Sequence, residues 1–212
     1  MNCIKTRRQI GGLSLVAVVA VIAAILILAM LLLSGLSQSR SRARRISCNC
    51  RLKQIGLAFR MWSNDHAEHF PWTVPQSNGG TFEFAMSTQV WRHFQVASNE
   101  LNSPKILVCP ADPARGLANS FVPPVSNVNI SYFVGLDADE TKPQTILSDD
   151  RNLSTNMSIL SGIVTFQKVE MIRWAPGIHN EGGNIGLGDG SVQQALGSPM
   201  SQWPLPFRVS IP

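Results

Sequence analysis

From Ile10 to Leu33 the chain carries neither a charged residue nor a proline, and this run constrains the fold more than any other feature. An α-helix rises about 1.5 Å per residue, so roughly 20 apolar residues cross a hydrocarbon core of about 30 Å. The run is too long for the apolar part of an ordinary secretory leader. It reads as a membrane helix. The remainder of the 212 residues is enough for one ordinary domain and not for two.

Charge is distributed around that span. Lys5, Arg7 and Arg8 precede it; Arg40, Arg42, Arg44, Arg45, Arg51, Lys53 and Arg60 follow. From His66 onward eight Lys or Arg stand against twelve Asp or Glu, so the formal charge of +5 belongs to the membrane flanks and not to the domain. Such cations meet anionic head groups. Nucleic-acid binding calls for a basic patch on the folded domain, and the sequence offers none. The positive-inside rule, taken alone, would keep the C-terminal part in the cytoplasm. The downstream cations are interleaved with serine ("SQSRSRARR") and can equally lie on an outer leaflet, so local charge leaves orientation open.

Helical periodicity continues past the span. At about 100° per residue, Leu52, Ile55, Phe59 and Trp62 fall within about 40° of Cys48, whereas Cys50 falls on the opposite side. The segment is an amphipathic helix whose apolar stripe contains Cys48. Asn64, Asp65 and Pro71 end it, giving one helix from about Leu13 to Asp65, on the order of 80 Å long. Beyond Pro71 short segments are divided by Gly, Pro, Asn and Ser. "KILVCP", "NISYFVGL", "MSILSGIVTFQ" and "NIGLGDGSVQQAL" read as strands, and Asp189-Gly190 is a hairpin turn signal. "FEFAMSTQVWRHFQVAS" reads as a helix, with or without a strand before it, and the Pro-rich tail as coil or edge strand. Helix first and antiparallel strands after it give an α+β class.

Four motifs in order resemble a known family. "RRQIG-GLSLVAVVAVIA" is similar to a prepilin leader ending in Gly12, with Leu13 as the new N-terminus. "SRSRARRISCNCRLKQIGLAFRMWSND" resembles the post-membrane helix, and "CPAD" and "HNEGGNIGLGDG" (His179 to Gly190) resemble later signatures, of a subgroup with His, nine residues, then Asp-Gly. The chain thus resembles type IV pilin-like proteins, the pseudopilins of type II secretion. The resemblance implies a pilin-like α+β fold: a leader (1–12), a membrane helix (13–35), a basic amphipathic helix (36–70) and a head (71–212). It implies an inner-membrane protein with a cytoplasmic N-terminus and an exported head, processed by a prepilin peptidase and methylated. Its partners would be the lipid bilayer, other pilin-like subunits and an inner-membrane assembly platform, and it would lack catalysis of its own. Two departures modify that expectation. Ala17 stands where the family has glutamate, and Ser34-Gly35 where a proline commonly breaks the helix. Both fit a minor or tip subunit, or an anchored extracytoplasmic binding module for a polysaccharide or protein that never polymerises.

Candidate residues follow. Cys3, Cys48, Cys50 and Cys109 match no metal-site spacing. Given the export that the resemblance implies, Cys48 and Cys109 can form a disulfide, the alternative being two buried thiols. His179, Asp189 and Gly190 read as a structural hairpin, with Gly190 at positive φ and His179 bonded to the turn carboxylate or backbone. A hydrolase site lacks a nucleophile elbow around Ser191. Asp137, Asp139 and Glu140, with Asp149 and Asp150 in a second acidic loop, are oxygen donors of the type that binds Ca²⁺, without a regular loop pattern. His66 and His69, with Asp65 and Glu68, are close enough in sequence to bind a metal, but they sit at a helix exit, where polar residues are expected in any case. Trp62 belongs to the core, while Trp72 and Trp203 adjoin prolines at surface turns.

Overall fold

The structure, a computed structural model, describes residues 14–154, 161–166, 172–196 and 207–212. The Gly12–Leu13 junction and Trp203 lie outside the described residues. Helix α1 runs from Leu15 to Asn64. Its first part is rich in Val and Ile, which are modest helix formers. A helix nevertheless suits that segment, because in hydrocarbon every backbone N–H and C=O must be bonded within the segment. The chain divides into two compact units at Arg40 and Ser41, so the second half of α1 belongs to the head.

Among the described residues of the first unit the apolar side chains are not gathered into a core. Ile25 and Leu28 are 58% and 59% exposed. Among the described residues α1 is the one helix long and apolar enough to cross a membrane, a test that an N-terminal signal sequence also passes.

In the second unit α1 lies against a six-stranded antiparallel sheet. The strands are β1 (Tyr132–Gly135), β2 (Ile146–Asp150), β4 (Gly162–Phe166), β6 (Gly182–Leu187), β7 (Val192–Leu196) and β8 (Phe207–Ile211), in the order β4-β8-β1-β2-β6-β7. β3 (Leu153–Ser154) and β5 (Arg173–Trp174) form a separate pair. The fold is α+β, with a long N-terminal apolar helix and an antiparallel sheet.

Alternation along the strands builds two cores. Tyr132, Val134 and Leu147 join the α1 stripe of Cys48, Leu52, Ile55, Phe59 and Trp62 in one cluster. Phe133, Ile146, Ile185, Leu187, Phe207, Val209 and Ile211 join a second. Gly186 of β6 faces the helix. A Cβ there would stand 2.9 Å from the Ser148 carbonyl and 3.3 Å from Leu52 Cγ, so only glycine allows this approach. Helix α1 ends where Ala67 and Glu68 take positive φ and the Glu68 amide donates to the Ser63 carbonyl.

Between α1 and β1, short helices α2 (Trp91–Val96) and α3 (Ser98–Leu101) and several 3₁₀ turns cover the core. Three sequence expectations are corrected here. "KILVCP" is not a strand: Pro104 opens a 3₁₀ turn over Pro104–Leu107, capped by the Ser103 side chain accepting from the Lys105 amide. "ILSDD" is strand β2 and not an acidic loop, because pairing with β1 and β6 overrides the poor strand propensity of aspartate. Trp72 lies inside, 2% exposed, with its ring edge-on to Phe59 at 5.3 Å.

Candidate functional site

The segment from His179 to Gly190 lies along the head portion of α1. His179, Asn180 and Glu181 all take left-handed backbone conformations, with φ of 58°, 50° and 59°. Non-glycine residues pay for this geometry, although His and Asn tolerate it better than most. Surrounding bonds hold it. Arg45 of α1 donates to the His179 carbonyl, and the buried Asn152 amide donates to the carbonyls of Ala175, Ile178 and Gly182. At the other end Gly190 takes φ +81°, and Arg60 donates to the Asp189 carbonyl at 2.8 Å. Two arginines about four helical turns apart therefore pin both ends of the signature.

The expected contact between His179 and the turn carboxylate is not made. Asp189 Oδ1 accepts from the Ser191 amide at 2.8 Å. The imidazole turns inward at the far end of β6 instead, because the left-handed turn aims it at the helix. There Cys48 is joined to Cys109 in a disulfide. His179 Nε2 stands 3.3 Å from Cys109 Sγ and 3.5 Å from Asp150 Oδ2. The Ala111 amide donates to Cys109 Sγ at 3.4 Å. Asp150 Oδ2 also accepts from the amide and the side chain of Asn184, each at 2.8 Å, while Asp150 Oδ1 and Asn184 Oδ1 have no hydrogen-bond partner among the described residues. Both cysteines and Asp150 are fully buried, and the His179 side chain is 2% exposed.

Burial sets the charge states. It lowers His179 to about 4, with Arg45 acting in the same direction. It raises Asp150 to about 7 against the two bonds from Asn184, and raises Asp149 well above the usual carboxylate range, helped by the Asp150 charge. Asp112, in the turn after Cys109, behaves differently: burial pushes it up, but the hydrogen bonds and charge of Arg151 more than offset that and leave it lowered. His179 is thus a neutral imidazole between a disulfide sulfur and a carboxyl group that still holds a proton at pH values where exposed carboxylates have lost theirs.

The oxygen donors expected for calcium are dispersed. Asp137 pairs with Arg208, Asp139 with Lys142 at 2.9 Å and Glu140 with Arg60 at 3.1 Å, while Asp149 and Asp150 belong to β2. Among the described residues the one convergent group of three or more ligating side chains is Cys48, Cys109 and His179, their ligand atoms all within 4.8 Å of one another. His66 stacks on Trp62 at 3.6 Å, and its Nδ1 meets the Trp62 carbonyl. An open cleft of about 570 Å³ is lined by Glu68, His69, Asp137, Asp139, Lys142 and Arg208 among others.

Sequence reasoning missed Arg45, Asn152, Asp150 and Asn184 as neighbours of His179. Their relation is long-range, joining α1, β2, the turn after it and β6. The available signal was the alternation of β6, which places Asn184 on the same face as Gly186.

A family model described as a protein of unknown function, DUF1559, matches residues 37–97, the second half of α1 and the turns after it. No curated protein and no solved structure matches the chain.

Proposed function

We propose that the chain is a non-enzymatic, pilin-like assembly subunit. It waits in the inner membrane with its N-terminus in the cytoplasm and its head exported, loses its leader between Gly12 and Leu13 to a prepilin peptidase, and enters a type II secretion-type fibre at a minor or tip position. The observation that carries this reading is the division of α1. Its first part presents apolar side chains with no core of their own, and its second part is built into a head that has one. Such a helix suits lipid first and the helices of neighbouring subunits afterwards. The DUF1559 match covers the part of α1 that joins the span to the head. A structural role suits His179, which is buried against a disulfide. Ala17 places no carboxylate in the span, which suits a subunit that need not neutralise a neighbour's N-terminal amine.

A second reading, a permanently anchored binding module, draws on Ala17 and on the charged cleft. One experiment separates the two: the N-terminal residue and mass of the protein recovered from membranes with and without an active prepilin peptidase. A peptidase-dependent chain beginning at Leu13 is expected. An intact Met1 in both preparations would overturn the processed-subunit reading and favour the anchored module.

A further inference from the structure

We propose that Cys48, Cys109, His179 and Asp150 form a latent metal site of the zinc class, closed by the disulfide and opened when a dithiol or phosphine reduces it. The four side chains come from α1, the turn after the Pro104–Leu107 helix, the left-handed turn before β6, and β2. They share no sequence spacing, which is why no cysteine motif announces them. The proposal is independent of fibre assembly.

The donor set fits the metal. Two sulfurs and an imidazole converge within 4.8 Å, and a carboxylate oxygen lies 3.5 Å from the same imidazole nitrogen. Zinc prefers four such N, S and O donors in a tetrahedron, with sulfur at about 2.3 Å and nitrogen at about 2.0 Å. The outer contacts are those of a metal centre as well. The Ala111 amide donates to Cys109 Sγ, a bond that stabilises a thiolate, and Asn184 fixes the Asp150 carboxyl group. Asp150 Oδ2 is the oxygen next to the imidazole, and Oδ1 of the same carboxyl group is buried without a hydrogen-bond partner among the described residues, which leaves this group an acceptor in reserve. Two thiolates, one carboxylate and one divalent cation leave a single negative charge. Arg45 at the His179 carbonyl and Arg51 at the Val108 carbonyl place two guanidinium groups around it.

The chemistry balances. A dithiol supplies two electrons and two protons and becomes a disulfide. A phosphine supplies two electrons and becomes its oxide, with water supplying the oxygen and the two protons. Either way the S–S bond breaks to give two thiols. On binding, the two thiols release two protons and form two metal–sulfur bonds, and Asp150 releases the proton it holds to solvent as its carboxylate takes the cation. Both states tie α1 to the head, one through sulfur alone and the other through the cation. Reducing compartments favour the second and oxidising ones the first.

The test uses the full chain in detergent micelles, in a Cys3→Ser, Cys50→Ser background. It is reduced with a phosphine and titrated with Co²⁺, then with Zn²⁺ in competition. One Co²⁺ per chain is expected, with a thiolate-to-cobalt charge-transfer band and the intense visible bands of a tetrahedral centre, displaced by Zn²⁺. Zn²⁺ should also protect Cys48 and Cys109 from alkylation. His179→Gln should weaken binding at least about tenfold while its oxidised form keeps the disulfide and the fold. A reduced chain that gives no charge-transfer band, or alkylates equally with and without zinc, would overturn the proposal. So would a spectrum that His179→Gln leaves unchanged, or a reduced chain that stays unfolded even with metal.

Discussion

Residues 15–40 and 41–212 obey opposite rules. Both contain α1, yet Leu28 in the first is 59% exposed and Leu52 in the second 1%. In the first unit the helix satisfies its own backbone and leaves its side chains for a surrounding medium. In the second the same helix sets one face against a sheet, and its stripe holds the core together. Hydrophobic residues in the two units therefore answer to different solvents. Substitutions in the first should be read in partitioning and assembly, and in the second in folding.

The sharpest way to break that contrast is a matched pair of truncations. Phe59 is fully buried, 5.3 Å from the Trp72 ring and 5.4 Å from Phe94. Phe59→Ala should lower head stability by about 3–5 kcal/mol, the usual cost of emptying such a site. Leu28→Ala should leave it within about 0.5 kcal/mol of the parent. All five tryptophans lie at or beyond Trp62, so their fluorescence during denaturation in micelles reports the head alone. Equal losses for the two variants would abolish the distinction.

Acid sharpens the contrast, because no titratable residue lies between Leu15 and Ser39. His93 is fully buried, with Nδ1 2.7 Å from Thr81 Oγ1, and burial lowers it to about 4. Between about pH 6.5 and 4 the unfolded chain binds a proton there that the folded chain refuses. That contribution is present above the unfolded value and is lost as the pH falls, at up to about 1.4 kcal/mol per pH unit. His179 acts in the same sense. Asp150, raised to about 7, acts in the opposite one: the folded chain keeps a proton that the unfolded chain releases, so its contribution fades as the pH rises towards 7. The parent profile is a sum of these, and a difference isolates His93. The stability gap between parent and His93→Gln should narrow from pH 7 to pH 4.5 in denaturant midpoints. A constant gap would refute the assignment.

How much of this was legible depended on range. The buried stripe of α1 follows from periodicity within one helix, and the Asp189-Gly190 hairpin from a dipeptide that favours a turn. β2 was illegible because Asp149 and Asp150 look like solvated loop residues, and only pairing with Phe133, Tyr132 and Ile185 shows otherwise. The histidine of the signature was visible, but its direction was not. Three consecutive left-handed residues turn it towards the disulfide, and nothing local in "HNE" announces them. Polar partners drawn from four separate segments leave no spacing to read.

The smallest effect tests how the head portion of α1 holds the signature. Arg60, 41% exposed at its side chain, bonds Glu140 at 3.1 Å and the Asp189 carbonyl at 2.8 Å. Partly exposed contacts of this kind contribute about 1 kcal/mol or less. Arg60→Gln should therefore barely move the denaturation midpoint. Its mark should be local: faster hydrogen exchange at Gly190 and Ser191, whose amides donate within the turn to the Leu187 carbonyl and the Asp189 carboxylate. Glu140→Gln keeps the bond from Arg60 to the Asp189 carbonyl and should accelerate those amides less. Arg42→Gln, close to the boundary between the units, should leave them unchanged. If all three variants exchanged alike, the turn would be held by its own backbone, and the arginine would be a surface charge like its neighbours.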